Sequence, residues 1–491
     1  MRNMDELQLF KVRLLWEKID KILHMKDCHV KGLSYIKSHN SIHLGSDNKL
    51  HLCFQSKFNN DLYKDFGCVL PEIELQNGND TFVIPYGYAT YDDNMEVFSD
   101  ILQEYDIKIN RIDNGTLEEN LCYYWRYVYP IDFNKWFLQI ESSNYVDDRG
   151  IKFGFSYLKL KLGGCDMPVF VTEQNGEYYM VIQSGEKIDS EEMYKRVFAI
   201  KTTIGLITGI IFGDYHFQIA SDDKDFASIK SMIFGSLDET KHCSYRIVNN
   251  KWVNTYDLLG RYEYQKYAQR ILEDSGFDLK MYYDNKPLED SVFEKLTTLC
   301  YNNNDIVISA SMLLEGSLQN VIYQPSFYYV ALEAITSALK DNEQDKTNTP
   351  LKKEEYNKYV KPSLLKALDA IIGISCDVKR IYRHRIESNL NSPANQDKLS
   401  MLFEMYGYIL TDEDKKVINL RNYIFHGRLS NIKKELSEQR WEMFAIALRL
   451  HKLCCILLLK ASGFNGKILN NEVIWGVKEA CERKEPPYLN I

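Results

Sequence analysis

Hydrophobic and polar positions follow two different periods along the chain, and the change between them divides it near residue 287. In the front part apolar residues alternate with polar ones, as at Leu50, Leu52 and Phe54, which is typical of a strand with one buried face. From about Pro287 onward apolar residues recur at the three- and four-residue spacing of helices. The sequence therefore predicts an α+β protein, with a β-rich N-terminal domain over 1–285 and an all-α C-terminal helical bundle over 286–491.

Turn and capping signals place several elements of the front part. Asn77-Gly78 and Asn175-Gly176 each lie between two strand-like runs, and an Asn-Gly pair supplies the positive φ angles of a two-residue hairpin turn. Asp189, followed three residues later by Glu192, resembles a capping box and predicts a helix to about residue 207. Two hairpins and one long helix are thus expected in this region.

The back part reads as a series of helices separated by short polar turns. The predicted spans are 288–300, 304–318, 326–341, 362–375, 377–389, 396–408, 412–426, 431–462 and 470–484. Gly463 is placed to end the longest of them, because glycine readily adopts the left-handed conformation that follows a helix.

Composition narrows the class of protein. The chain has 491 residues, 45% hydrophobic and 26% charged, which is the globular average and excludes wholesale disorder. No apolar run reaches the roughly 18 residues of a membrane-spanning helix, and the charged N-terminus does not resemble a signal peptide. The eleven cysteines contain no CxxC pair. We therefore expect a cytoplasmic protein with no membrane contact.

Charge is unevenly distributed. The net charge of −9 divides into −12 for residues 1–290 and +3 for 291–491, and residues 351–491 alone carry +7. The overall charge disfavours nonspecific nucleic-acid binding, but a basic back part is where a polyanion would be bound.

One motif carries recognisable chemistry. The chain lacks GxxxxGK[ST], GxGxxG, HExxH and GxSxG, but LRNYIFHGRL at 420–429 places Arg421 five residues before His426. Asn422 follows the arginine and Gly427 follows the histidine. The segment resembles the RxxxxH signature of HEPN-domain ribonucleases, and its RN…HG form is similar to the Apea-like branch of that family.

The residue types suit RNA cleavage on chemical grounds. A histidine with a pKa near 6.5 can transfer protons at neutral pH, and a guanidinium can hold a phosphate through a forked contact. Asn422 and His426 share a helix face, so the side-chain amide of Asn422 could fix the tautomer of the His426 imidazole. Arg421 and His426 lie about 140° apart on a regular helix, so they converge only if the helix unwinds at its end. Thr411 and the acidic residues after it predict the start of that helix.

The resemblance implies a function and partners. It implies a metal-independent endoribonuclease that needs no cofactor and leaves a 2′,3′-cyclic phosphate, acting in anti-phage abortive infection on host RNA such as tRNA. It also implies a homodimer or higher homo-oligomer formed through the HEPN domain, a phage-derived trigger, and a restraining front domain. Glu333 occupies the helical position where many HEPN proteins keep an acid facing the arginine. The alternative for Glu333 is an ordinary buried or solvated helix carboxylate.

Four basic residues are candidates for contact with the RNA backbone: Arg428, Lys379, Arg380 and Arg383. A solvated basic helix face is the simpler explanation of the last three. No metal site is predicted, because the histidines at 24, 29, 39, 43 and 51 fit no standard ligand spacing. Two other functional readings stay open. The first is a non-catalytic HEPN-like module that binds a protein or ligand, and the second is a helical scaffold in which the motif is coincidental.

Overall fold

The structure is a computed structural model. It describes residues 16–31, 37–57, 70, 72–91, 102–118, 121–131, 145–146, 152–153, 157–174, 176–243, 288–341, 351–388, 390–391, 395–425, 435–486 and 488–491. These residues form two compact units, which divide between Asn302 and Asn303.

Eighteen strands are described in the first unit, and residues 16–23 are helical. The strands are β1 (His29–Val30), β2 (Lys37–Leu44), β3 (Leu50–Lys57), β4 (Ile73–Asn77), β5 (Asp80–Ile84), β6 (Ala89–Tyr91), β7 (Leu102–Ile109), β8 (Arg111–Asn114), β9 (Tyr124–Ile131), β10 (Tyr145–Val146), β11 (Lys152–Phe153), β12 (Tyr157–Leu162), β13 (Cys165–Gln174), β14 (Glu177–Gln183), β15 (Ile210–Ile211), β16 (Tyr215–Ser221), β17 (Ile229–Ser236) and β18 (Lys241–His242).

Most of these strands belong to two antiparallel sheets. The larger has ten strands in the order β1-β4-β5-β8-β17-β16-β9-β14-β13-β12, and the smaller has four in the order β2-β3-β7-β6. Apolar side chains from both sheets and from the helical residues 16–23 form one buried cluster, which includes Trp16, Leu52, Ile107, Leu75 and Phe217. The alternation of apolar and polar residues thus arises from sheets with one face in this core.

Both predicted hairpins are present. The chain turns between β4 and β5 at Gly78 and Asn79, where Asn77 pairs with Asp80, and between β13 and β14 just after Gln174, which pairs with Glu177. Gly78 and Gly176 have φ angles of 60° and 86°, in the left-handed region that these turns require. The first turn begins one residue later than the sequence suggested.

Helix α1 (Ser190–Thr208) confirms the capping prediction. The Asp189 carboxylate accepts a hydrogen bond from the backbone N–H of Glu192 at 2.8 Å, which stabilises the first turn. The helix ends at Gly209, whose φ is 74°. Helix α2 (Asp290–Asn302) packs against α1 and belongs to the first unit, although its sequence resembles that of the helices after it. That two separately folding domains meet between residues 285 and 286 stays a prediction.

The second unit is helical, as predicted. Its helices are α3 (Asn304–Gly316), α4 (Gln324–Asp341), α5 (Lys353–Glu355), a π-helical turn (Tyr356–Val360), α6 (Lys361–Ala370), α7 (Cys376–Ser388), α8 (Asn395–Met405), α9 (Asp412–Asn419), α10 (Arg421–Phe425), α11 (Leu436–Ala461), α12 (Asn471–Ile474) and α13 (Lys478–Glu482). Helix α4 lies at the centre and packs against α3, α8, α10 and α11.

Three predicted helices of this unit differ in the structure. The span 362–375 ends at Ala370, and α5 and the π-helical turn run directly into it from Lys353. The span 470–484 is two short helices, α12 and α13, and a small sheet flanks them, formed by β19 (Lys467–Leu469) and β20 (Tyr488–Asn490). The span 412–426 is also interrupted, because α9 ends at Asn419 and α10 begins at Arg421. The second interruption determines the geometry of the candidate site.

Candidate active site

A break in the helix positions Arg421. The backbone carbonyl of Val417 accepts a hydrogen bond from the N–H of Leu420, three residues later, at 3.0 Å. It also accepts a hydrogen bond from the hydroxyl of Tyr329 on α4. In a continuous helix this carbonyl would accept from the N–H of residue 421 instead. The tyrosine therefore holds the end of α9, and Arg421 begins a new short helix, α10, which contacts α4.

Arg421 forms an ion pair with Glu333, which lies on α4. Its Nη2 donates to one oxygen of the Glu333 carboxylate at 2.8 Å, and its Nε lies against the other oxygen. Both side chains are about one third exposed, at 31% for Arg421 and 36% for Glu333, so solvent reaches the pair. Tyr329 and Glu333 are four residues apart and share one face of α4, since a helix has 3.6 residues per turn.

Tyr329 is itself buried, with 1% of its surface exposed. Burial raises the pKa of its phenol, and the positive charge of Arg421 opposes that rise. The hydroxyl thus stays protonated at neutral pH and serves as a hydrogen-bond donor to the carbonyl of Val417.

The helix before Arg421 is fixed at its other end by a capping box. The hydroxyl of Thr411 accepts from the N–H of Asp414 at 3.2 Å, and the Asp414 carboxylate accepts from the N–H of Thr411 at 3.0 Å. Helix α9 is therefore held at its beginning by Asp414 and at its end by Tyr329.

Asp414 also belongs to a buried charge cluster formed by Asp414, Arg449, Lys452 and Glu472. The Nε and Nη2 of Arg449 donate to Glu472 Oε1 at 2.9 and 2.7 Å, and the Nζ of Lys452 donates to Glu472 Oε2 at 2.7 Å. Arg449 Nη1 reaches Asp414 Oδ1 at 3.5 Å. Burial alone would lower the pKa of Arg449, but the surrounding carboxylates raise it. The cluster ties α9 to α11 and α12.

Residues 328–467 match the family described as Apea-like HEPN. The matched range runs from Tyr328 on α4 to Lys467 at the start of β19, and it contains both Arg421 and Glu333. The helical region carries an Apea-like HEPN domain. No curated protein and no solved structure matches the chain. HEPN domains are generally associated with ribonucleases and defence, and they typically dimerise and act on RNA.

Three predicted residues of the HEPN motif have side chains outside the described part of the chain. His426 and Arg428 follow the last described residue of α10, and Asn422 is described only as the second residue of that helix. Of the four predicted catalytic residues, the structure thus brings together Arg421 and Glu333, and the side-chain positions of Asn422 and His426 stay predictions.

The three basic residues predicted on α7 have different surroundings. Lys379 Nζ donates to the backbone carbonyl of Asp369 on α6 at 3.0 Å, and Arg383 Nη2 donates to the carboxylate of the same aspartate at 2.5 Å. Arg380 has 80% of its side chain exposed and forms a 3.4 Å ion pair with Asp377. Two of the three therefore also hold α6 and α7 together.

Sequence reasoning did not identify Tyr329 or the buried charge cluster as parts of the site. Tyr329 lies four residues before Glu333, but nothing in the sequence shows that its hydroxyl reaches a carbonyl 88 residues away. Glu472 lies just beyond the matched range, and no motif marks it. His451 on α11 is buried next to the ring of Tyr328.

The described residues contain no group of three or more His, Cys, Asp or Glu side chains that could hold a metal ion. His51 of the N-terminal histidine group is bound between two carboxylates, at 2.8 Å from Asp106 and 2.9 Å from Asp47. Among the helices of the described ranges, none is long and apolar enough to cross a membrane.

Proposed function

We propose that this protein is a metal-independent endoribonuclease whose active site is in the HEPN domain. The observation that carries the proposal is the Arg421–Glu333 ion pair, which orients the arginine of the RxxxxH segment inside the domain that matches the family. A carboxylate contacting a partly exposed guanidinium limits the rotamers of the arginine and leaves it accessible to a phosphate.

The proposed reaction uses the 2′-hydroxyl of the RNA as the nucleophile. The 2′-oxygen attacks the adjacent phosphorus, the bond from phosphorus to the 5′-oxygen breaks, and the products are a 2′,3′-cyclic phosphate and a 5′-hydroxyl. One proton leaves the 2′-hydroxyl and one is delivered to the 5′-oxygen. His426 transfers protons, Asn422 positions its imidazole, and Arg421 stabilises the charge that develops on the phosphate.

The reaction needs two proton transfers, one from the 2′-hydroxyl and one to the 5′-oxygen, and two histidines would supply one each. A single copy of the motif supplies only His426, so we propose that two HEPN domains act as a symmetric pair. For the RNA backbone, Arg428 is proposed as the nearest cation in the sequence, and the basic residues Lys379, Arg380 and Arg383 as a second contact. Arg380 is the most suitable of these three, because most of its side chain is exposed.

The biological role is proposed from the same family association. The enzyme would act in the cytoplasm of an infected cell, cleave host RNA such as tRNA, and so stop phage production. The acidic front unit would restrain the nuclease until a phage-derived trigger arrives.

The proposal is tested with the full-length protein and labelled RNA in EDTA. We expect cleavage with cyclic phosphate ends, and a loss of about 100-fold or more in rate in Arg421→Ala and in His426→Ala. Arg440→Ala is the matched control, because Arg440 is an exposed arginine on α11 of the same unit, and its rate should equal that of the parent.

The competing proposal is a binding module without catalysis. It is favoured by the same ion pair, because Glu333 engages the fork of Arg421 as in many purely structural pairs. A parent protein that cleaves no RNA in the presence of a phage lysate supports this alternative. Cleavage by Arg421→Ala and His426→Ala at the parent rate would show that another site is responsible.

A further inference from the structure

The large sheet of the first unit has a second face, opposite the one in the buried cluster. Tyr127 and Tyr129 on β9 and His216 on β16 lie on this second face, because their neighbours Val128 and Phe217 belong to that cluster. The imidazole of His216 is nearly parallel to both tyrosine rings, with centroids 6.2 Å from Tyr127 and 5.7 Å from Tyr129. The sheet therefore presents an aromatic floor on this side.

Helix α1 adds a second set of side chains to this floor. Tyr194, Phe198 and Lys201 follow the i, i+4, i+7 spacing of one helical stripe. The ammonium of Lys201 lies 4.4 Å from the centre of the Tyr129 ring, so this end of the stripe is over the floor. At the other end, Tyr194 and Phe198 are 60% and 37% exposed, and their rings are nearly parallel with centroids 6.3 Å apart. The stripe thus leads from open aromatic rings to a partly buried cation.

The charge of Lys201 has no acidic partner among the described residues. Burial lowers the pKa of Lys201 to about 8, and no carboxylate opposes that shift. Burial, followed by the positive charges of Lys201 and Arg111, lowers the pKa of His216 to about 4, so the imidazole is neutral at physiological pH. Arg111 itself is bound by Asp113 through two hydrogen bonds of 2.8 Å. Although the front part of the chain is acidic overall, Lys201 therefore keeps an uncompensated positive charge.

A ligand that complements this surface needs two features. An anionic group would compensate the ammonium of Lys201 through charge-assisted hydrogen bonds, as phosphates do. A planar ring would stack on Tyr194 or Phe198, since both rings are open to solvent. Burial also raises the pKa of the Tyr127 phenol, which thus stays protonated and can donate a hydrogen bond. A base linked to a phosphate has both features.

We propose that this surface is a nucleotide-binding site, with the phosphate of the nucleotide at Lys201 and its base stacked on Tyr194 or Phe198. The site lies in the first unit and does not include Arg421 or Glu333, so the inference goes beyond the nuclease assignment and does not rest on it. The ligand is a free nucleotide, because the stripe supplies one cation, whereas an RNA strand needs several along its backbone.

The first test is calorimetric titration of the full-length protein with adenosine 5′-monophosphate (AMP), adenosine and inorganic phosphate. We expect AMP to bind, and adenosine and inorganic phosphate each to bind at least about 10-fold more weakly, because each supplies only one of the two contacts. Adenosine that binds as tightly as AMP would remove the role of Lys201 and overturn the proposal. A parent protein that binds none of the three would overturn it as well.

The second test uses variants of the stripe. Lys201→Met and Tyr194→Ala should each weaken AMP binding by about 10-fold, the first through the lost charge and the second through the lost stacking. Both should stay folded, which circular dichroism checks, because methionine replaces the apolar stem of the lysine and Tyr194 is largely exposed.

Lys195→Met is the matched control for this second test. Lys195 is an exposed lysine of the same helix, and its ammonium lies 4.6 Å from the centre of the Tyr301 ring on α2. Its affinity for AMP should equal that of the parent. Unchanged binding in Lys201→Met and Tyr194→Ala would reject the site, and an equal loss in Lys195→Met would reduce the effect to general electrostatic attraction.

The third test separates this site from the candidate active site. Arg421→Ala should bind AMP with the affinity of the parent. Loss of AMP binding in Arg421→Ala, with none in Lys201→Met, would place the nucleotide at the candidate active site and overturn the inference while leaving the nuclease proposal intact. Binding through Lys201 in a protein that cleaves no RNA would support the inference without the nuclease. Single-stranded RNA that displaces AMP at a far lower concentration, and does so only with Lys201 present, would assign the surface to RNA and overturn the proposal.

Discussion

The replacement Glu472→Gln tests whether the buried charge cluster supports the candidate active site. Glu472 is 2% exposed and lies outside the range that matches the HEPN family. Its carboxylate accepts two hydrogen bonds from Arg449 and one from Lys452. Glutamine has the same shape but no charge, and its amide group cannot accept on both sides. At least one of the two buried cations thus loses its closest partner.

The magnitude follows from burial. Arg449 and Lys452 are each 4% exposed, so water cannot replace the lost carboxylate. Their next carboxylates are more distant, with Asp414 at 3.5 Å from Arg449 and at 4.0 Å from Lys452. Breaking a buried ion pair typically costs about 3–5 kcal/mol. Because glutamine keeps one acceptor, we expect a loss of about 3 kcal/mol in the free energy of unfolding.

The assay is thermal and urea unfolding of the full-length protein, with RNA cleavage measured in parallel. A loss of about 3 kcal/mol corresponds to a decrease of roughly 6–12 °C in melting temperature for a unit of this size. Glu482→Gln is the matched control, because Glu482 is exposed and, within the described ranges, its ion pair is the 3.8 Å contact with Lys478 on α13. It should change stability by less than about 0.5 kcal/mol. Cleavage should fall in Glu472→Gln at temperatures where the protein stays folded, because Asp414 caps the helix that leads to Arg421.

Equal stability of the two variants would refute this reasoning. It would mean that the cluster contributes no net stabilisation in this fold, as happens when the cost of burying the charges equals their attraction. Reduced stability with normal cleavage would separate the cluster from the site.

Three further predictions concern the same unit. Tyr329→Phe should lower the free energy of unfolding by about 1 kcal/mol, because the carbonyl of Val417 loses one of its two hydrogen-bond donors. It should also lower kcat more than it raises KM, because Arg421 loses its alignment. Unchanged kinetics would show that the helix break does not need the hydroxyl. Glu333→Gln should reduce cleavage less than Arg421→Ala does, and combining the two should add little to the effect of Arg421→Ala alone. Glu404→Gln is the control for the loss of a carboxylate elsewhere in the unit. Additive effects of the two replacements would mean that the pair does not act as a unit. Burial lowers the pKa of His451 from 6.5 to about 4, so between these pH values the unfolded chain binds a proton that the folded chain does not. The free energy of unfolding should therefore fall by about 3 kcal/mol as the pH decreases from 6.5 to 4. An equally steep fall in His451→Gln would assign the pH dependence to other groups.

Local sequence patterns predicted the elements that depend on local physics. The Asn-Gly turns, the Asp189 cap and the Thr411 cap are all present, because each needs only a few neighbouring residues to satisfy backbone groups. The α+β order and the helical character of the second unit were predicted for the same reason, since periodicity reports which face of an element is buried.

The interruption of the helix at Leu420 was not predicted. The unwinding that we expected at the end of the helix, from the angle between Arg421 and His426, lies outside the described residues and stays a prediction. Within the described residues the helix is interrupted at Leu420, ahead of the arginine, because a hydroxyl from another helix competes for the carbonyl of Val417. No residue near Leu420 in the sequence encodes that competition.

The sequence by itself determined which residues are proposed to carry the chemistry, because Arg421, Asn422 and His426 form a spaced motif whose residue types suit phosphate binding and proton transfer. Only the tertiary structure decided how Arg421 is held. Glu333 lies 88 residues earlier in the chain and Glu472 lies 51 residues later, and both contribute to the site through packed helices and buried charges. Such contacts depend on how the helices pack together in three dimensions, which a linear pattern does not specify.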